Sequence, residues 1–154
     1  EVYIALGTTI KVAGSESAFR AVDLNAVLAV ARAARVGGAT CLGVVSAMGA
    51  NARSSVFYNR IKGEMEDAVS ALGYGCVVLV RPSFIQGDRA ALQQPGRTGE
   101  GLALVAMRLL RPLIPANYRA VQACDVARAL VRAVQQAQPG KRVLLSGDLQ
   151  TAAG

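Results

Sequence analysis

The chain has 154 residues, of which 53% are hydrophobic and 18% are charged, and its formal net charge is +7. This size and composition suit one globular domain. The absence of histidine excludes Ser-His-Asp and Cys-His nucleophiles as well as histidine-based metal sites. The apolar runs fall well short of the roughly 18 residues that span a bilayer, and no secretory sequence opens the chain, so we expect a cytoplasmic protein without a membrane partner.

Short apolar segments rich in β-branched residues alternate with amphipathic segments along the chain. In chain order we predict strand 2–6, helix 16–36, strand 41–46, helix 57–72, strand 76–81, helix 100–111, helix 124–137 and strand 142–146. Continuously apolar strands separated by helices indicate a parallel sheet that is covered on both faces. The predicted fold class is therefore α/β.

The polar segment 86–99 follows a strand end and has two interpretations. Either it is a mobile lid over a substrate, or it is an ordinary surface loop.

The three cysteines, Cys41, Cys76 and Cys124, match neither a zinc nor a disulfide spacing. We expect them to be small core residues in a reducing compartment. The acidic residues of helix 57–72 are expected on its solvated face; they are Glu64, Glu66 and Asp67. No metal site is predicted.

The positive charge raises the question of nucleic-acid binding. The arginines occur singly, however, and only 5% of the residues are aromatic. Single-stranded nucleic-acid sites normally combine a basic groove with stacking aromatic rings. The composition therefore disfavours a nucleic-acid partner, while a cofactor phosphate would itself favour positive charge.

Tyr58 and Lys62 are the most informative residues for chemistry. Their spacing of four places both on one face of helix 57–72, where Lys62 interrupts an apolar stripe. An adjacent ammonium favours deprotonation of a phenol, whose pKa is ordinarily about 10, and so helps it to act as an acid or base. In the alternative interpretation, Tyr58 is a core aromatic residue and Lys62 extends its amine to the surface.

Ser46 ends the strand that precedes this helix. A strand ending in Ser46, a loop, and a helix carrying Tyr58 and Lys62 would bring three polar side chains to the carboxyl edge of a parallel sheet, where open α/β sheets bind ligands. Pro82 marks the end of the next strand and completes a βαβ unit. Alternatively, Ser46 has no catalytic role and only terminates its strand.

Several stretches occur in an order that is more specific than any one motif. They are Leu6-Gly7-Thr8-Thr9, Phe19-Arg20-Ala21-Val22-Asp23, Val45-Ser46-Ala47-Met48-Gly49-Ala50, Phe57-Tyr58-Asn59-Arg60-Ile61-Lys62-Gly63-Glu64 and Arg81-Pro82-Ser83. On these stretches nearly the whole chain resembles the atypical branch of the short-chain dehydrogenase/reductase superfamily, close to the Tat-interacting-protein oxidoreductases and the NAD-dependent epimerase/dehydratases.

This resemblance implies a Rossmann-like, doubly wound parallel sheet in three layers (α/β/α). Residues 1–154 would form a single NAD(P)-binding domain, corresponding to the C-terminal two thirds or so of the usual domain. The glycine-rich turn and the first strands of that fold have no counterpart in the sequence. We therefore expect the chain to be a fragment of a longer protein.

The resemblance also implies roles for individual residues. Tyr58 would be the catalytic acid/base, Lys62 would lower the pKa of Tyr58 and bind the nicotinamide ribose, and Ser46 would polarise the substrate. The cofactor would be bound by Leu6, Gly7, Thr8, Lys62, Arg81, Pro82 and Ser83. Many relatives place the catalytic hydroxyl one or two residues beyond Ser46, where this chain has Ala47 and Met48. Either Ser54 or Ser55 supplies the hydroxyl from the loop, or the protein lacks a full triad.

The function expected from the resemblance is that of a cytoplasmic NAD(P)-dependent oxidoreductase acting on a small carbonyl or alcohol substrate. NADP is the expected cofactor, with NAD as the alternative. The alternative function is that of a non-catalytic, NADP-binding regulatory protein that acts through protein partners. A homodimer is compatible with both.

Overall fold

The computed structural model describes residues 1–86 and 115–151. The predicted helix 100–111 and residues 87–99 of the polar segment 86–99 lie outside these ranges. The elements are β1 (Val2–Ile4), α1 (Ile10–Ala13), α2 (Glu16–Arg20), a π-helical segment (Ala21–Ala26), α3 (Val27–Val36), β2 (Cys41–Val45), α4 (Phe57–Ser70), β3 (Cys76–Arg81), β4 (Ile85–Gln86), a 3-10 helix (Ala116–Tyr118), β5 (Val121–Gln122), α5 (Ala123–Gln135), β6 (Gly140–Leu145) and α6 (Ser146–Thr151).

The main sheet has four parallel strands in the order β1-β2-β3-β6. Its register places Val44 of β2 between Ile4 of β1 and Leu79 of β3. The short strands β4 and β5 form a separate parallel pair. The predicted α/β class with a parallel sheet is thus confirmed.

Alternate residues of the strands enter two apolar clusters, so the clusters lie on opposite faces of the sheet. Leu42 and Leu79 belong to the cluster with residues of α3 and α4. Val78 and Val80 belong to the cluster with residues of α5 and α6. Gly43 of β2 allows α5 to pack closely on the sheet, since a Cβ atom at Gly43 would lie only 2.8 Å from Val134 Cγ2.

The predicted helix 16–36 is helical throughout but not uniform. Ser15 caps its start by accepting a hydrogen bond from Ala18 N at 3.1 Å. The chain then winds as a π-helix over Ala21–Ala26 before it resumes an α-helix. Such segments are rare and are frequently found at functional sites. Here the π-helical segment buries the carboxylate of Asp23.

The cysteines correct part of the sequence interpretation. Cys41 and Cys76 are buried as expected, whereas Cys124 is exposed because it lies off the buried face of α5, which carries Val126 and Leu130. Within residues 1–86 and 115–151, no cluster of three metal-binding side chains occurs. In the same residues, no helix has the length and hydropathy needed to cross a membrane.

Candidate functional site

A buried ion pair occupies the centre of the candidate site. Lys62 of α4 places its Nζ atom 2.7 Å from Oδ1 of Asp23 in the π-helical segment. Both residues are buried in the structure. Buried charges require a partner because their desolvation is costly. Here the ammonium of Lys62 and the carboxylate of Asp23 are partners of each other. Lys62 is therefore not extended to the surface, and the alternative interpretation of this residue is wrong.

The segment after β1 borders this ion pair. Thr8 N donates a hydrogen bond to Asp23 Oδ2 at 2.8 Å. Gly7 presents bare backbone to the pair, since a Cβ atom there would lie 3.3 Å from Asp23 Oδ1 and 3.7 Å from Lys62 Nζ. Leu6, which precedes them, is exposed. Gly7 and Thr8 thus lie at the carboxyl edge beside the ion pair of Lys62 and Asp23.

Ser46 lies at the same edge, directly after β2. Its backbone N–H continues the sheet by donating to Val80 O at 2.8 Å. Its Oγ atom is buried and has no hydrogen-bond partner among the residues that the structure describes. An unsatisfied buried hydroxyl is unfavourable, so Ser46 Oγ retains its capacity to donate and accept hydrogen bonds at this edge of the sheet.

Tyr58 is half-buried at the start of α4. Its ring packs against Phe19, with the ring centroids 5.6 Å apart. Burial raises the pKa of the Tyr58 phenol above 10, and the negative charge of Asp23 raises this pKa further. The predicted lowering by Lys62 is therefore wrong. The physical reason is that the ammonium of Lys62 is paired with Asp23.

Arg81 ends β3 and pairs with α4. Its Nε and Nη2 atoms donate to the two carboxylate oxygens of Glu66 at 2.9 and 2.6 Å. These hydrogen bonds raise the pKa of Arg81. Glu66 is only 1% exposed. The prediction that Glu66 lies on a solvated face is therefore wrong, because its side chain reaches back to the end of the neighbouring strand.

Pro82 and Ser83 follow β3 and are anchored to neighbouring segments by hydrogen bonds. Pro82 is buried, and its carbonyl accepts a hydrogen bond from Met48 N at 3.1 Å. Ser83 N donates to Ser146 Oγ at 2.7 Å, and Ser83 Oγ donates to Tyr118 O at 3.2 Å. The backbone N–H and the hydroxyl of Ser83 thus both have partners within the protein.

The loop between β2 and α4 packs closely on the helix at Gly63, where a Cβ atom would lie 2.0 Å from Ala52 N. The alternative hydroxyl, Ser54, accepts a hydrogen bond from Val56 N at 3.1 Å, whereas Ser55 is exposed. A cavity of about 300 Å³ lies between loop and helix. It is lined by Ala50, Asn51, Ala52, Arg53, Gly63, Glu66, Asp67 and Arg81.

Sequence reasoning missed Asp23 as the partner of Lys62. The signal was available, because Asp23 shares one helical face with three buried apolar residues at spacings of four, namely Phe19, Val27 and Ala31. Lys62 interrupts an apolar stripe in the same way. Two opposite charges, each placed in an apolar stripe, indicate a buried ion pair.

No family model matches the chain. The proteins to which it is similar include three from fungi. The "Protein FMP52, mitochondrial" of Candida albicans is 40% identical over 90 residues, covering 58% of this chain and 39% of that protein. The FMP52-1 protein of Scheffersomyces stipitis is 36% identical over 87 residues, with coverages of 56% and 38%. The fmp52 protein of Emericella nidulans is 41% identical over 85 residues, with coverages of 55% and 36%.

The chain spans about two fifths of the length of the curated relatives it matches. Their names overturn three predictions made from the sequence. The predicted short-chain dehydrogenase/reductase membership is corrected because the relatives are named FMP52. The predicted NAD(P)-dependent oxidoreductase function is corrected on the same finding. The predicted cytoplasmic location is wrong because these relatives are named as mitochondrial proteins.

Proposed function

We propose that this chain forms part of a nucleotide-binding domain whose ligand is NADP, held at the carboxyl edge of the sheet. We further propose that its sheet is the Rossmann-like, doubly wound, three-layered type. One observation carries the proposal: at that edge a buried lysine borders bare glycine backbone after β1, and a buried serine hydroxyl with no partner among the described residues follows the neighbouring strand β2. Open α/β sheets bind their ligands in this position.

The residues at the edge fit a hydroxyl-bearing ligand such as a ribose. Lys62 has several N–H donors, and its contact with Asp23 leaves donor capacity for a ligand oxygen. Ser46 Oγ can both donate and accept, and it is not used by the described residues. At Gly7, the absence of a side chain allows a ligand to approach the pair closely.

Electrostatics support the same assignment. The carboxylate of Asp23 balances the ammonium of Lys62, so the pair suits neutral sugar hydroxyls better than a bare anion. The chain as a whole carries a net charge of +7, which favours the phosphates of the same ligand at longer range. A neutral binding point within a basic protein matches a ligand that contains both sugar and phosphate.

We propose a mitochondrial location for the protein, since the similar fungal proteins are named as mitochondrial. Fractionation of cells that express the tagged protein tests this point. Recovery in the mitochondrial fraction is expected, and recovery in the cytosolic fraction alone would contradict it.

Titration of NADPH into the purified protein, followed by nicotinamide fluorescence, tests ligand binding. The informative variant is Asp23→Asn with Lys62→Met, which removes both charges of the pair together and avoids leaving one charge buried alone. The matched control is Lys141→Met, which removes an exposed ammonium from the opposite end of the sheet. We expect saturable binding, weakened about tenfold or more in the double variant and unchanged in the control, where tenfold corresponds to about 1.4 kcal/mol.

Absence of NADPH binding by the folded protein would overturn the proposal. Equal affinity in the double variant and in Lys141→Met would show that the ligand binds elsewhere. Parallel titrations with NADH and ATP test the ligand class: NADPH should bind most tightly, and equal binding of ATP would indicate a general adenine-nucleotide site.

A further inference from the structure

Two thiols lie side by side at the amino ends of β2 and β3, on the opposite edge of the sheet from Lys62. Cys41 and Cys76 are registered neighbours in these parallel strands. Both belong to the apolar cluster that includes residues of α5. Cys41 is 7% exposed and Cys76 is 1% exposed, and both thiols are free.

The geometry brings the two sulfur atoms within reach of each other. As registered neighbours in one apolar cluster, the side chains of Cys41 and Cys76 lie on the same face of the sheet. Adjacent strands lie about 4.8 Å apart, which falls inside the Cα–Cα range of about 4.4–6.8 Å in which two cysteines can be bridged. The residue registered with Cys76 on its other side is Gly140, which adds no side chain beside the sulfur.

We propose that Cys41 and Cys76 form a redox-sensitive thiol pair that a low-molecular-weight disulfide, such as oxidised glutathione, closes into a cross-strand disulfide. The bond would join β2 to β3 within the sheet. This modification site is independent of the ligand proposed above, because it lies at the amino edge of the sheet and uses none of the same residues.

The closure proceeds by two exchange steps. The Cys41 thiolate attacks one sulfur of oxidised glutathione, and the departing glutathione thiolate takes up the proton that Cys41 released. Cys41 reacts first because it is the more exposed of the two, and because burial raises the pKa of the Cys76 thiol. The sulfur of Cys76 then loses its proton and attacks the Cys41 sulfur of the mixed disulfide; the bond between Cys41 and glutathione breaks, and the departing glutathione thiolate takes up the proton from Cys76. Two cysteines are oxidised, and one glutathione disulfide is reduced to two glutathione thiols.

The test uses Cys124→Ser, which removes the exposed third thiol. The folded protein is incubated with oxidised glutathione, denatured with an alkylating reagent, and analysed by mass spectrometry. We expect loss of both alkylatable thiols, a mass lower by two hydrogens than that of the reduced protein, and a peptide in which Cys41 is linked to Cys76. Dithiothreitol should restore both thiols.

The unaltered protein serves as the control for the oxidant, since its exposed Cys124 should acquire glutathione. The proposal is overturned if Cys124 reacts while Cys41 and Cys76 stay reduced, or if each of these two carries its own glutathione. Cys76→Ala in the Cys124→Ser background should stop at a glutathione adduct on Cys41. If that variant does not fold, Cys76→Val replaces it with a residue suited to a buried strand.

Discussion

Lys62 Nζ and Asp23 Oδ1 are 2.7 Å apart, and their side chains are 6% and 0% exposed. The pair joins α4 to the π-helical segment, two elements that are far apart in the sequence. Removing one partner of a buried pair leaves an uncompensated charge, which typically costs about 3–5 kcal/mol. Each charge therefore depends on the other to remain buried, and the same pair supplies the ammonium at the candidate site.

Lys62→Met should lower the free energy of unfolding by about 3–5 kcal/mol, because Asp23 would remain buried without its partner. Adding Asp23→Asn should restore most of this loss, since an amide can still accept the hydrogen bond from Thr8 N. Urea denaturation of the single and double variants measures both effects.

The exposed ion pair between Arg20 and Glu64 is a matched control. Its distance is also 2.7 Å, but its side chains are 47% and 30% exposed. Exposed pairs contribute about 0–1 kcal/mol, so Arg20→Met should have little effect. Equal losses for Arg20→Met and Lys62→Met would show that burial does not determine the contribution of the Lys62 pair.

Ser46→Ala should leave the free energy of unfolding unchanged or raise it slightly, because the Oγ atom that is removed has no partner among the described residues. The same substitution at Ser146 removes the acceptor for Ser83 N, which donates at 2.7 Å, and should cost about 1–3 kcal/mol. If the proposed ligand site is correct, Ser46→Ala also weakens NADPH binding. A large loss of stability in Ser46→Ala would show that its hydroxyl is satisfied within the protein.

The strands around the site could be predicted from the sequence because each is a short apolar run with a clear end. The predicted strand 41–46 and the predicted strand 76–81 agree with the observed strands to within one residue. Helix 57–72 was predictable from the period of its apolar residues and ends only two residues earlier, at Ser70. Periodicity thus locates Lys62 on a buried face before the structure is known.

The partner of Glu66 could not be predicted, since it depends on a tertiary contact. Glu66 has the sequence environment of a solvated residue, yet it is buried in an ion pair with Arg81 at the end of β3. The π-helical winding around Asp23 has no recognisable sequence signal of its own. Local pattern determines which face is apolar, whereas the packing of α4 against its neighbours determines which charges meet.

Tyr58 should make stability decrease at high pH. The phenol is protonated in both the folded and unfolded states below pH about 10. Above that pH the unfolded chain loses its proton first, because the pKa of Tyr58 is raised in the folded state, and so the free energy of unfolding falls as pH rises towards the folded pKa. Tyr58→Phe should make this fall smaller. Urea denaturation below and above pH 10 or so provides the measurement.

The pKa of Tyr74 is also raised, by burial, so its contribution remains as a background in both proteins. The informative quantity is therefore the difference between the unaltered protein and Tyr58→Phe. A pH dependence that is identical in the two would contradict the raised pKa of Tyr58.

Gly63→Ala should destabilise the protein even though alanine is the better helix former. The gain from helix propensity is about 1 kcal/mol. Against it, the new Cβ atom would lie 2.0 Å from Ala52 N and 2.2 Å from the carbonyl carbon of Asn51, so the loop would have to move away from α4. Backbone cannot rotate aside as a side chain can, and overpacking typically costs about 1–3 kcal/mol or more, so the clash should exceed the gain.

Gly75→Ala is the matched control for this steric argument. A Cβ atom at Gly75 would lie 3.7 Å from Thr40 O, an ordinary contact, and we expect a change within about 0.5 kcal/mol. Thermal and urea denaturation of both variants give the comparison. A Gly63→Ala protein as stable as Gly75→Ala would mean that the loop carrying Asn51 and Ala52 does not pack on α4. These loop residues would then not line the cavity beside the helix.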